Sequence, residues 1–251
     1  RSNPILQHLR SIKEPEEIEL LQKACNITEK GVRRLLSFVK PGVWEYEIEA
    51  ELMHEFLRNR SKGFAYTPII ASGENANVLH YIANNMQCKD GDVILLDVGA
   101  EYANYSSDLT RMIPVNGKFT ARQKEIYNAV LDMKNFATSL LVPGNNWYDY
   151  HKECGEFYTS KFLELGLLDK ADVQNQDKNW PAYKKYMMHG TSHHLGLDTH
   201  DYGILKDKFV ENMVFTVEPG IYLPAEGFGV RIEDDMVIQN SGPAFNLMKN
   251  I

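Results

Sequence analysis

DVILLDVGAEYANYSSDLTRMIPV, residues 92–115, carries two β-prone runs separated by polar turn formers, and each run holds one aspartate, Asp97 and Asp108. The pattern predicts a β-hairpin. A turn centred near Tyr102 and Ala103 would set Asp97 opposite Asp108 on one face of the sheet, within reach of a cross-strand pair. The same construction recurs in MVFTVEPGIYL, residues 213–223, and FGVRIEDDMVI, residues 228–238. A turn near Ala225 and Glu226 would there set Glu218 opposite Glu233. Like charges directly opposed weaken a sheet unless something neutralises them, so two such pairs ask for a cation. The alternative is that all four acids lie on solvated strand faces. Asp97 follows Val93-Ile94-Leu95-Leu96 and Glu218 follows Val214-Phe215-Thr216-Val217, which argues that both emerge from buried strands, where a carboxylate needs a partner.

Outward from these strands the chain reads as helix. KEPEEIELLQKACNITEKGVRRLLSFV, residues 13–39, spaces Ile18, Leu21, Cys25, Thr28, Val32, Leu35 and Val39 along one helical face, with Pro15 and acids at its start. Pro41-Gly42 breaks it, and WEYEIEAELMHEFLRNR, residues 44–60, is helical again before the strand-like YTPIIASG, residues 66–73. TARQKEIYNAVLDMKNFATSLLV, residues 120–142, then Pro143-Gly144, then WYDYHKECGEFYTSKFLELG, residues 147–166, repeat the plan. Two helices followed by strands, twice, predict a pseudo-symmetric α+β domain. Residues 171–185, ADVQNQDKNWPAYKK, read as a loop, and Trp44, Trp147 and Trp180 as packing residues.

Composition narrows the function classes. A chain of 251 residues that is 43% hydrophobic can bury a core unaided. The net charge of −7, without clustered Lys and Arg, argues against nucleic acid as a partner. No apolar run is long enough to span a bilayer, so no membrane partner is expected. Cys25, Cys88 and Cys154 are odd in number and far apart, which points to a reducing, cytoplasmic compartment. The first residue is Arg1 and not Met, so a longer parent chain is expected.

HGTSHHLGLDTHD, residues 189–201, gathers four of the eight histidines. It is too glycine-broken for one regular helix, so a strand and loop entering a site are expected. Four acids can hold two hard divalent cations, and an imidazole adds a nitrogen ligand. The remaining histidines would orient a substrate, donate to a developing oxyanion or support the ligands. Other motifs fail on their partners. His54-Glu55 has no second histidine for a zinc-protease helix, His151-Lys152-Glu153 has no downstream PCxxC, and Ser192 has no GxSxG elbow.

DVGAEYANYSSDLTR, HGTSHHLGLDTHD, TVEPGIY and VRIEDD, in that order, resemble the metal-dependent Xaa-Pro aminopeptidases of the creatinase and methionine aminopeptidase superfamily. The similarity runs from about Ile12 to about Ile238. It implies the "pita-bread" fold, a curved antiparallel sheet covered by helices. It further implies that Asp97, Asp108, His193, Glu218 and Glu233 bind two divalent metal ions, typically manganese, with Asp108 and Glu233 bridging. Such a pair of ions can hold a shared water for attack on the N-terminal Xaa-Pro bond of a peptide substrate, with Glu218 moving the proton. The resemblance places His200 nearest the scissile carbonyl and His80 and His189 as walls of the proline site. Arg231, two residues from Glu233, would support the ligand network, as would Tyr222. His194 departs from the large aromatic often found there, and Thr199 from a commoner aliphatic residue. A prolidase shares these ligands, methionine aminopeptidase is a weaker relative because the His193 segment and TVEPGIY look less like that branch, and a non-catalytic peptide-binding module on the same fold is the reading from another class. Residues 1–251 would be the catalytic domain, with the family's N-terminal domain lying outside this sequence and a homo-oligomer left open.

Overall fold

The computed structural model describes residues 3–203 and 206–250. A helix α1 (Asn3–Ser11), not anticipated from the sequence, precedes α2 (Pro15–Phe38) and α3 (Glu45–Arg58). The Glu17 carboxylate accepts the Glu14 N–H at 2.8 Å and Glu47 accepts that of Trp44 at 2.8 Å, so each of these two helices is capped from its own first turn. Strands β1 (Ile69–Ser72) and β2 (Val93–Val98) follow, then the short β3 (Glu101–Tyr102) and β4 (Tyr105–Ser106), then β5 (Leu109–Pro114). The second half repeats the order with α4 (Ala121–Ser139), α5 (Trp147–Glu164), β6 (Val214–Val217), β7 (Gly220–Leu223), β8 (Phe228–Arg231) and β9 (Asp234–Val237). The two Pro-Gly breaks are conformational equivalents: φ is 95° at Gly42 and 90° at Gly144, values that favour glycine. Within the expected loop 171–185, most of a short α6 (Lys170–Gln174) and a 3₁₀ turn at Ala182–Lys185 form. A last short strand, β10 (Phe245–Asn246), edges β9.

Every strand pair is antiparallel. One sheet runs β1-β2-β5 and another β10-β9-β6, and the β5 carbonyl of Thr110 accepts the Glu233 N–H at 3.1 Å where the two halves meet. Alternate residues of the first sheet enter two different cores. Ile69, Ala71, Val93 and Leu95 pack with α4 and α5, whereas Ile70, Ile94 and Leu96 pack with α2 and α3. Burial on both faces explains why residues 93–96 are uniformly apolar and do not alternate. Trp147 is buried against Phe209 and Phe215, as expected of a packing residue. Trp44 and Trp180 are exposed, contrary to that expectation: Trp44 stands at the start of α3 and Trp180 closes a surface turn with Asp177.

The hairpin registers separate one expectation from the other. In the second half Gly220 pairs with Arg231 and Val217 with Asp234, so the ribbon keeps one register through the break and brings Glu218 opposite Glu233 as expected. In the first half Asp97 pairs with Thr110, not with Asp108. The turn lies one residue further on, at Ala103 and Asn104, whose φ values of 53° and 70° are those of a two-residue hairpin turn that asparagine accepts readily. Asp108 therefore stands diagonally from Asp97, facing Gly99. A side chain at Gly99 would run into the Ser107 carbonyl, so the strand crossing beside Asp108 requires glycine. Replacing it by alanine should destabilise the fold by about 1–3 kcal/mol, the usual cost of overpacking. Urea unfolding of Gly99→Ala against the parent protein measures this, and an unchanged midpoint would contradict the packing described.

Candidate metal centre

Pairing lapses in both ribbons at three of the four acids, Asp97 alone staying within a paired strand. β6 ends before Glu218 and β8 before Glu233, while Asp108 falls between β4 and β5. Breaks of this kind re-aim side chains out of the pleat, and here they aim them at one another. The histidine segment lies alongside. Residues 191–195 run antiparallel to β6, with Thr216 N–H donating to the His193 carbonyl at 3.0 Å and Glu218 N–H to that of Thr191 at 2.8 Å. The segment is extended, as expected, and delivers His193 beside Glu218.

Asp108, His193 and Glu233 each place a donor atom within 4.8 Å of the other two, a grouping able to hold a metal ion. His193 Nε2 stands 3.4 Å from Asp108 Oδ2 and 3.4 Å from Glu218 Oε1, and its Nδ1 lies 3.0 Å from the His194 carbonyl. An Nδ1–H donated to that carbonyl leaves Nε2 facing the acids, the tautomer a ligand needs. Asp97 stands slightly apart from this trio. Arg231 Nη2 donates to Asp97 Oδ2 at 2.5 Å, and Tyr66 Oη lies 2.6 Å from both Asp97 Oδ1 and Asp108 Oδ1. Thr110 Oγ1 donates to Glu233 Oε2 at 2.6 Å and accepts from Arg231 Nε at 3.2 Å.

The electrostatics show an acid cluster short of positive charge. Burial, with Asp108 and Glu218 nearby, pushes Glu233 well above the usual carboxylate range. Burial also lifts Glu218 to about 7 against the opposing pull of His193, and raises Asp97 although Arg231 pulls the other way. Burial disfavours a charged His193, yet the hydrogen bond to Asp108 and the charge of Glu218 outweigh it and lift that imidazole to about 9. A single hydroxyl hydrogen on Tyr66 cannot satisfy two carboxylates at once. Oxygen-rich donors with one imidazole, crowded until they resist ionising, fit a hard divalent cation.

The other histidines have distinct settings. His189 Nδ1 lies 2.7 Å from the Gly190 carbonyl and its Nε2 2.7 Å from Tyr222 Oη, which accepts from Arg231 Nη1 at 2.8 Å. Burial, helped by Arg231, lowers His189 to about 3, so it is a neutral acceptor at the end of an Arg231–Tyr222–His189 chain. The His200 ring stands edge-on to that of His193, with centroids 4.4 Å apart. His80 lies on an exposed loop that α3 anchors. Buried Glu45 accepts from Ser72 N at 2.8 Å, Ser72 Oγ at 2.7 Å, Tyr81 Oη at 2.7 Å and Met86 N at 2.9 Å. His80, His189, His193 and His200 all line one cavity of about 780 Å³ whose floor is the acid cluster.

Sequence reasoning missed several of these contacts. Thr110 carried a faint signal, standing two residues after Asp108 with the same strand parity. Tyr66 carried none, because nothing local says that a residue before β1 will reach acids 31 and 42 positions later. Leu79 and Ile82 give the cavity its apolar wall, and Glu45 holds their loop. His54 is exposed on α3, and His151 stacks on Trp147 away from the cluster.

A model of metallopeptidase family M24 matches residues 19–240. The chain is 42% identical over 251 residues to an Xaa-Pro aminopeptidase of Haemophilus influenzae, covering 95% of this chain and 58% of that protein. It is 40% identical to the Xaa-Pro aminopeptidase of Escherichia coli, covering 95% and 56%, and 34% identical over 287 residues to a mouse Xaa-Pro dipeptidase, covering 96% and 58%. Among solved structures, a variant of Escherichia coli aminopeptidase P in complex with substrate superposes with a TM-score of 0.92 at 37% identity, covering 100% of this chain and 59% of that one. A zinc-substituted form of that enzyme in complex with product superposes with a TM-score of 0.92 at 38% identity over the same shares. The fold is therefore the helix-covered antiparallel architecture expected from the sequence, and this chain spans between 56% and 58% of the curated relatives named.

A cation bound by the folded cluster should stabilise it. At a free ion concentration one hundred times its Kd the gain is about 2.7 kcal/mol. The thermal midpoint of metal-stripped protein should rise on adding manganese, and the rise should be lost in His193→Ala and Asp108→Ala. An equal rise in those variants would place the ion elsewhere.

Proposed function

The chain belongs to metallopeptidase family M24, and from that premise we propose that it is the catalytic part of an Xaa-Pro aminopeptidase, releasing the first residue of peptides whose second residue is proline. The observation that carries this reading is the convergence of Asp108, His193 and Glu233, beside Asp97 and Glu218, on the floor of a cavity walled by His80, His189 and His200. The stronger identity to Xaa-Pro aminopeptidases, 42% and 40% against 34% for a dipeptidase, supports it over the prolidase reading.

Asp97, Asp108, His193, Glu218 and Glu233 would hold two divalent ions, manganese in our reading. When bound, the ions supply Lewis acidity and lower the pKa of a water at the site. Glu218 takes the proton of the attacking water and hands it to the leaving amine, since its carboxylate reaches both His193 and the cavity. His200, standing over His193 on the cavity wall, faces the scissile carbonyl and donates to the oxyanion as it develops. His189, neutral and held by Tyr222, packs with His80 and Leu79 around the proline ring, while Arg231 fixes Asp97 and Tyr222 together. Three separate buried cysteines without disulfide bonds support a cytoplasmic setting.

The deciding experiment is release of the N-terminal residue from an Xaa-Pro-Xaa tripeptide and from an Xaa-Pro dipeptide by metal-stripped protein, with and without manganese, beside Asp108→Ala. Tripeptide cleavage that requires metal and is lost in the variant is the expected outcome. Cleavage confined to the dipeptide would favour a prolidase. No cleavage of either by folded, metal-loaded protein would reject hydrolysis by this chain.

A further inference from the structure

The histidine segment closes on Asp201, whose side chain is only 1% exposed although it sits on a surface loop. The cations that meet it come from the opposite end of the sequence. Arg10 Nη2 lies 2.5 Å from Asp201 Oδ1 and 2.7 Å from Asp198 Oδ2, and Lys13 Nζ lies 3.3 Å from Asp201 Oδ2. Lys13 is itself buried at 2% exposure and donates to the Arg10 carbonyl at 2.6 Å, so the link between α1 and α2 is folded around this carboxylate. The backbone closes the loop from within. Asp201 N–H donates to the His194 carbonyl at 2.9 Å, and Gly196 N–H to that of Asp198 at 3.1 Å. The Gly196 carbonyl accepts the Ser106 N–H at 2.9 Å, tying the loop to the strand that leads into Asp108. A side chain at Gly196 would collide with the Asp201 carboxylate and approach Lys13 Cε to 2.9 Å, which explains the glycine.

One peptide bond from this clamp stands His200, on the cavity wall over His193. Burying a carboxylate between two cations gains little stability over an apolar residue of like size, because desolvation offsets the attraction. What such a pair does supply is a single, directional placement of the backbone that carries it. We propose that Asp201, gripped by Arg10 and Lys13, is a positioning residue for His200, so that the N-terminal segment sets the geometry of the cavity wall. The inference rests on the reading of His200 as the residue that faces the substrate carbonyl.

The test compares the parent protein with Asp201→Asn, Arg10→Gln and each combined with His200→Ala, zinc-loaded for the resonances and manganese-loaded for turnover. Asp201→Asn should shift the imidazole ¹H–¹³C resonances of His200 while leaving those of His189 in place. It should lower kcat on the Xaa-Pro-Xaa tripeptide by about 10–100-fold, the scale of a small misplacement at a reacting centre, with KM and zinc affinity within about twofold of the parent, as expected when only a transition-state contact is lost. In the His200→Ala background it should cost nothing further, because the residue it positions is gone. If Asp201→Asn does not fold, Arg10→Gln, which leaves the Lys13–Asp201 pair intact, should show the same pattern more weakly. Unmoved His200 resonances, an equal loss in the His200→Ala background, or a loss appearing in KM or zinc affinity would each overturn the proposal. Absence of turnover in the manganese-loaded parent protein would reject the peptidase reading alone, and the His200 resonances would still decide this inference.

Discussion

Mutual repulsion among buried carboxylates organises this molecule. Asp97, Asp108, Glu218 and Glu233 come from two halves of the chain and meet on the floor of one cavity, and Arg231 is committed to Asp97. Desolvation first, and the repulsion between the acids after it, favours holding protons, which is what the raised affinities of Asp97, Glu218 and Glu233 express. A fold that maintains this crowding must hold each acid from behind. Thr110, Tyr66, Arg231 and the lapses in strand pairing do so, and each contact is formed by the meeting of separate elements.

The duplicated plan explains how two ordinary hairpins make a centre. Each half contributes a two-stranded ribbon that keeps its register while its pairing lapses near the acids, and the helices of each half seal opposite faces of the first sheet. Because both faces are buried, the acids can escape only toward the join between the halves. The histidine segment then lies against β6 and lends its imidazole from the edge.

Placement of the cavity walls is a separate matter from placement of the floor. The His80 loop depends on Glu45 at the start of α3, and the loop carrying His200 depends on its backbone closure and on cations near α1. Both anchors are buried carboxylates that accept several donors, a directional means of fixing loops that present few apolar side chains to the core. His189 is held differently, through Tyr222 and Arg231, so that the wall and the acid cluster share one guanidinium.

What the amino-acid order determined by itself was whatever repeats at short range. Helical spacing in α2, the paired Pro-Gly breaks, the apolar run at residues 93–96 and the acids that follow each run were legible because their physics acts over a few residues. The facing of Glu218 and Glu233 was legible too, since a long ribbon with one register obeys simple arithmetic. The facing of Asp97 and Asp108 was not, because a one-residue change in a turn moves a partner by two, and that turn is chosen by which residues tolerate positive φ. Tyr66, Glu45 and the Arg10–Asp201 clamp were illegible for a stronger reason. Their partners lie 27 to 191 positions away, and no local propensity encodes a contact that exists only once two cores have closed around it.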